Sequence, residues 1–117
     1  VHDIVMFFNR PDSAVRVDFL TVDPDTMSTL LEHAKQIDYF GKHLVRVPAL
    51  RDLLAMKIFA SAGSQSRRGE RDLMDVVHLA VINDLDIESD IKPLCAEFGT
   101  DELYEELRTG ITELRNA

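Results

Sequence analysis

Tryptophan is absent from this chain of 117 residues, and cysteine, proline and glycine are scarce at one, four and five. A lone cysteine, Cys95, excludes an internal disulfide framework and makes an intracellular, cytoplasmic setting the default expectation. So few glycines and prolines exclude collagen-like and low-complexity architectures. No apolar run approaches the roughly 20 residues needed to span a bilayer, and no signal-peptide pattern opens the chain. Basic residues are also outnumbered, 13 against 21 acidic, for a formal net charge of -8. That balance opposes loose, non-specific binding to nucleic acid, so any phosphate site has to be a local basic pocket.

What is present fits one ordinary globular domain. Hydrophobic residues make up 45% and charged residues 29%, and a chain of this length buries roughly two thirds of its unfolded surface. It opens on Val1 rather than methionine and enters a strand almost at once, the pattern expected of a fragment, a processed product or an unusual start. The apolar run Ile4–Phe8, a turn around Asn9–Ser13 and a β-rich run from Ala14 to Val22 predict an antiparallel hairpin. Asp23-Pro24 then opens a helix, aspartate as N-cap and proline in the first turn. This helix is expected to carry Met27, Leu30, Leu31 and Ala34 inward and to end near Phe40-Gly41. A third strand is read over Lys42–Val47. Four helical segments follow: one from Pro48, one over Glu70–Asn83, one over Ser89–Phe98, and one capped by Thr100 that runs to about Arg115. Strands first and helices afterwards predict an α+β fold, with a small mixed or antiparallel sheet of about three strands and a helical C-terminal half. Residues 1–117 read as a single domain, β-rich over 1–47 and helical over 48–117.

The most informative stretch is Pro48–Leu79, two amphipathic helices joined by a Gly/Ser/Arg loop. Leu50, Leu53, Leu54 and Ile58 form a stripe at helical spacing, and Lys57 falls seven residues after Leu50, on the stripe rather than the wet face. A lysine aimed inward either snorkels its ammonium to water or meets an anion. That anion is a carboxylate of the fold or a ligand phosphate, and the helix pattern leaves these readings open. Arg67, Arg68 and Arg71 cluster in the following loop, which by itself describes a solvated surface. Glu70 and Asp72 suit the positive end of a helix dipole. Asp18, on the second strand, has a plain role available as a partner of Arg16 or as a solvated carboxylate. His33, His43 and His78 share no zinc-ligand spacing.

Taken together, these segments resemble a known family. Val17-Asp18-Phe19-Leu20, a helix, a strand ending Arg46-Val47-Pro48, then Leu53-Leu54-Ala55-Met56-Lys57, an arginine-rich loop and Arg71-Asp72-Leu73-Met74-Asp75 look like the second half of nucleotidyltransferase-fold proteins of the abortive-infection toxin and minimal nucleotidyltransferase type. The resemblance spans about Val15 to Ile111. It implies that Asp18 is a catalytic and metal-site carboxylate, that Lys57, Arg68, Arg71 and Asp72 lie at the nucleotide phosphates, and that magnesium is the cofactor. It also implies a nucleoside triphosphate substrate, an RNA, protein or small-molecule acceptor, and an antitoxin-type partner. The departure is an absence. The family's Gly-Ser turn followed by Asp-x-Asp on a strand is not found upstream of Asp18. Gly63-Ser64 with Asp72 and Asp75 is a decoy, because spacing of three belongs to a helix face and strand ligands need spacing of two.

Two classes of function follow. One is a nucleotidyltransferase-like protein whose chain lacks part of the catalytic site and has no robust transfer activity by itself. The other is a non-catalytic phosphate-binding or partner-binding module, such as a toxin–antitoxin or regulatory component. Self-association through the apolar first strand or its exposed face, or tight binding to a partner segment, is expected in either case.

Overall fold

The structure is a computed structural model that describes the backbone of residues 4–9, 16–20, 22–63 and 67–117, and the side chains of 22–63 and 70–117. Two compact units emerge, Val1–Ala49 and Leu50–Ala117.

The first unit holds the strands. β1 (Ile4–Asn9) pairs antiparallel with β2 (Arg16–Leu20), Phe7 opposite Asp18, with a register shift between Ile4 and Met6. α1 (Pro24–His33) starts where the Asp-Pro pair predicts. The Asp23 carboxylate accepts from the Thr26 amide at 2.8 Å and the Thr26 hydroxyl at 2.9 Å. Those two bonds lower its pKa.

The helix ends sooner than the sequence reading placed it. Residues after Ala34 form β3 (Lys35–Tyr39), paired antiparallel with β4 (His43–Val47). The reason is visible in the residues: Ile37 and Tyr39 alternate with Gln36 and Asp38, a period of two. Gly41 is a hairpin-loop residue rather than a helix stop. Phe40 and Gly41 both take positive φ, 56° and 69°, the left-handed conformation that tight hairpin loops need and glycine tolerates best. The fold is α+β, but its strands lie in two separate two-stranded sheets, β1–β2 and β3–β4, in place of one sheet of about three strands.

The second unit is helical: α2 (Leu50–Gly63), α3 (Arg67–Ile82), a π-helical turn (Ile87–Ile91), α4 (Lys92–Phe98) and α5 (Asp101–Arg115). α3 begins three residues before the predicted Glu70, so Arg67 and Arg68 open the helix rather than occupy a loop. The segment predicted over Ser89–Phe98 begins as the π turn, capped by Asp86, whose carboxylate accepts from the Ser89 amide at 2.8 Å. Pro93 then sits in the first turn of α4, where no intrahelical donor is lost. The Thr100 hydroxyl caps α5, accepting from the Leu103 amide at 3.1 Å.

The inward stripes meet in one core of Leu54, Ile58, Val76, Val77, Ala80, Ile91, Leu94, Cys95, Leu103, Leu107 and Ile111, with Ala55 at its edge. Cys95 is fully enclosed, and burial pushes its thiol pKa up to about 11. Glycine permits two close approaches here. A Cβ on Gly99 would meet Ile58 at 3.0 Å, Leu103 at 3.2 Å and the Cys95 carbonyl at 3.3 Å, and one on Gly110 would meet Val77 at 3.1 Å. Gly110, a weak point of α5 by propensity, is thus a contact surface for α3. Tyr104 ties α5 to the π turn, its hydroxyl donating to Glu88 at 2.9 Å. The Arg115 guanidinium donates to the Leu85 carbonyl.

Candidate functional site at the α2–α3 junction

Leu54 and Ile58 lock the inner face of α2 into the core, and this fixes the direction of Lys57 beside them. Val76 and Val77 do the same for α3, leaving Asp72 and Asp75, one turn apart, on the flank that looks across to α2. The Lys57 ammonium lies between the two carboxylates, 2.7 Å from an Asp75 oxygen and 3.4 Å from an Asp72 oxygen. Side-chain exposure grades across the cluster, 17% for Asp72, 25% for Lys57 and 51% for Asp75. One side of the lysine is therefore sealed and the other reaches water.

Partial desolvation works against the lysine's charge, but the Asp75 hydrogen bond and the charges of Asp75 and Asp72 outweigh it, holding the pKa above its ordinary 10.5. Lys57 is thus a fixed cation at neutral pH. Of the readings the helix pattern left open, the fold's own carboxylates are the ones met. An ammonium has three donors, and the two carboxylates engage two of them.

The remaining sequence candidates fall unevenly around this pair. Asp72 is part of it. Arg71 is exposed on the preceding residue of α3. Arg68 lies one turn earlier on the same helix, with its side chain outside the described residues, as is that of Asp18 on β2. Asp75, which closes the Arg71–Asp75 run of the resemblance, is the closest partner of Lys57. The signal for it was its spacing of three from Asp72, which places both on one helix face.

Asp-x-Asp pairs do occur, at Asp23/Asp25 and Asp84/Asp86, but neither lies on a strand. Asp23 and Asp86 cap helices, Asp25 sits in the first turn of α1, and Asp84 is a turn residue with φ 51°. Among the described residues no group of three or more His, Cys, Asp or Glu could hold a metal ion. By themselves they do not fit a magnesium site. Nor, among them, is any helix long and apolar enough to cross a membrane.

A family model described as nucleotidyl transferase AbiEii toxin, type IV TA system, matches residues 3–115, and the chain belongs to that family. Neither a curated protein nor a solved structure matches it.

Proposed function

We propose that this chain supplies the phosphate-gripping half of a cytoplasmic nucleotidyl transferase of a toxin–antitoxin pair. Lys57 is the residue that meets the triphosphate. Its third N–H is directed to a phosphate oxygen, while Asp75 and Asp72 keep the ammonium charged and in place. Arg71 and Arg68, on the same end of α3, add charge neutralisation as negative charge builds on the transferred group. The observation that carries this reading is the Lys57–Asp75–Asp72 cluster, half sealed and half open, in a chain of this family. Transfer itself calls for the strand-borne Asp-x-Asp that residues 1–117 do not contain, with Asp18 as the third carboxylate of that set. The acceptor is an RNA, protein or small-molecule group.

Equilibrium titration of the chain with nucleoside triphosphates is the test. Saturable binding should weaken by about tenfold or more in Lys57→Met, with the helical circular dichroism preserved. Arg71→Ala should weaken it by a smaller factor. Binding that is indifferent to Lys57→Met would leave the cluster as a tie between α2 and α3 and remove the phosphate role.

A second reading, a phosphate- or partner-binding module without catalysis, is favoured by the missing Gly-Ser and Asp-x-Asp segment. The coding sequence upstream of Val1 separates the two, a Gly-Ser turn and Asp-x-Asp there supporting the first, and labelled triphosphate transfer by the chain alone checks the expectation they share. No sustained transfer is expected, and transfer that Asp18→Asn abolishes would reverse that expectation.

A further inference from the structure

The β3–β4 hairpin is an unfinished sheet. Two strands alone are marginal in water, and a third strand over an apolar face gives a small sheet independent stability. Among the described residues no other strand is hydrogen-bonded to it, and every residue of β3 and β4 is exposed. Its register sets Lys35 opposite Val47, Ile37 opposite Val45 and Tyr39 opposite His43. One face therefore gathers Ile37, Tyr39, Val45 and Val47, and these remain 37–53% exposed.

We propose that a second copy of this chain completes the sheet, β3 pairing antiparallel with β3 of the other copy about a two-fold axis through Ile37. Residues directly opposite in such a pair share a face and interact. In this register Ile37 meets Ile37 of the second copy, Gln36 meets Asp38, and Lys35 meets Tyr39. These are an apolar pair, an amide beside a carboxylate, and an ammonium against an aromatic ring. No like charges stand directly opposite. The β4 edge offers less. Centred on Val45, it sets Arg46 against Leu44 and His43 against Val47, polar side chains with apolar residues across from them. Pairing through β3 gives a four-stranded antiparallel sheet in strand order β4–β3–β3–β4. The apolar faces of both hairpins then lie on one side, and the isologous contact closes at two copies. The inference stands apart from the Lys57 site.

Sedimentation equilibrium of the 117-residue chain over a concentration series should reveal a monomer–dimer equilibrium. Ile37→Lys, which puts two ammonium groups face to face on the axis, should weaken it about tenfold or more. A second variant removes dependence on how that substitution folds. Ile37→Cys brings two thiols onto residues about 4.5–5.5 Å apart at Cα, within disulfide reach, so mild oxidation should yield a covalent dimer. Val45→Cys should not, because three strand spacings, roughly 14 Å, separate the two copies of Val45. A chain that stays monomeric to its solubility limit overturns the proposal and leaves the face to a different polypeptide. Cross-linking by Val45→Cys in place of Ile37→Cys overturns it as well.

Discussion

The helical unit and residues 22–49 of the first unit use their apolar side chains in opposite ways. From Leu50 onward, stripes on α2, α3, α4 and α5 converge, and side chains such as Ile58, Ile91, Leu107 and Ile111 have no solvent exposure. Over residues 22–49, α1 and the β3–β4 hairpin carry Met27, Leu31, Ile37, Tyr39, Leu44, Val45 and Val47, and none of these is buried. Apolar composition and correct local periodicity therefore do not make a core by themselves. A stripe stabilises only where a second stripe meets it.

Substitutions can break that contrast, and the largest effect belongs to the enclosed side. Ile58→Ala should destabilise the helical unit by about 2–5 kcal/mol, whereas Ile37→Ala, already half exposed, should cost no more than about 0.5 kcal/mol when the chain is monomeric. Paired denaturant titrations measure both, and equal losses would mean the hairpin face is covered.

Gly99→Ala comes next. Its methyl would press on Ile58, Leu103 and the Cys95 carbonyl, an overpacking worth about 1–3 kcal/mol. The same substitution at Gly41, where nothing lies within 4 Å but φ is positive, should cost about 1 kcal/mol through backbone strain alone.

Lys57→Met should cost about 1–2 kcal/mol at neutral pH, since it leaves Asp72 and Asp75 facing each other without their cation. The pH dependence has a definite sign. The folded pKa of Lys57 is raised, so its stabilisation is complete below 10.5 and is lost as pH rises through the higher folded value. Wild type and variant should differ by a constant amount from pH 6 to 9 and converge above 10.5, as read from unfolding midpoints.

The smallest effect is at Phe40, 82% exposed with φ 56°. Phe40→Asn, a residue that accepts left-handed backbone, should leave stability unchanged or raise it by up to about 1 kcal/mol.

How much of this was legible in the residues follows the same divide. α5 was legible from Thr100 to Arg115 because cap, stripe and length agree, and the start of α1 because Asp-Pro has one good use there. The 35–39 segment was not. Met27, Leu30, Leu31 and Ala34 set a helical rhythm, and Gly41 offered a plausible stop, while the strand alternation of Ile37 and Tyr39 is only two residues deep. At the candidate site, Lys57 and Asp72 were legible from stripe position and motif. That Asp75 would be the nearer partner was not, because it depends on how α3 is rotated against α2, which only the Val76–Val77 packing decides.

Enclosure of the single cysteine has a practical consequence. With its sulfur inside the core and its thiol held protonated, Cys95 can be alkylated only when the helical unit opens. The chain therefore carries its own clock. At saturating reagent the labelling rate becomes the opening rate, and at low reagent it measures the opening equilibrium. A ligand of the closed form would slow the clock in proportion to its occupancy, so nucleotide titrated into such an experiment tests the proposed phosphate role with no transfer assay and no introduced probe.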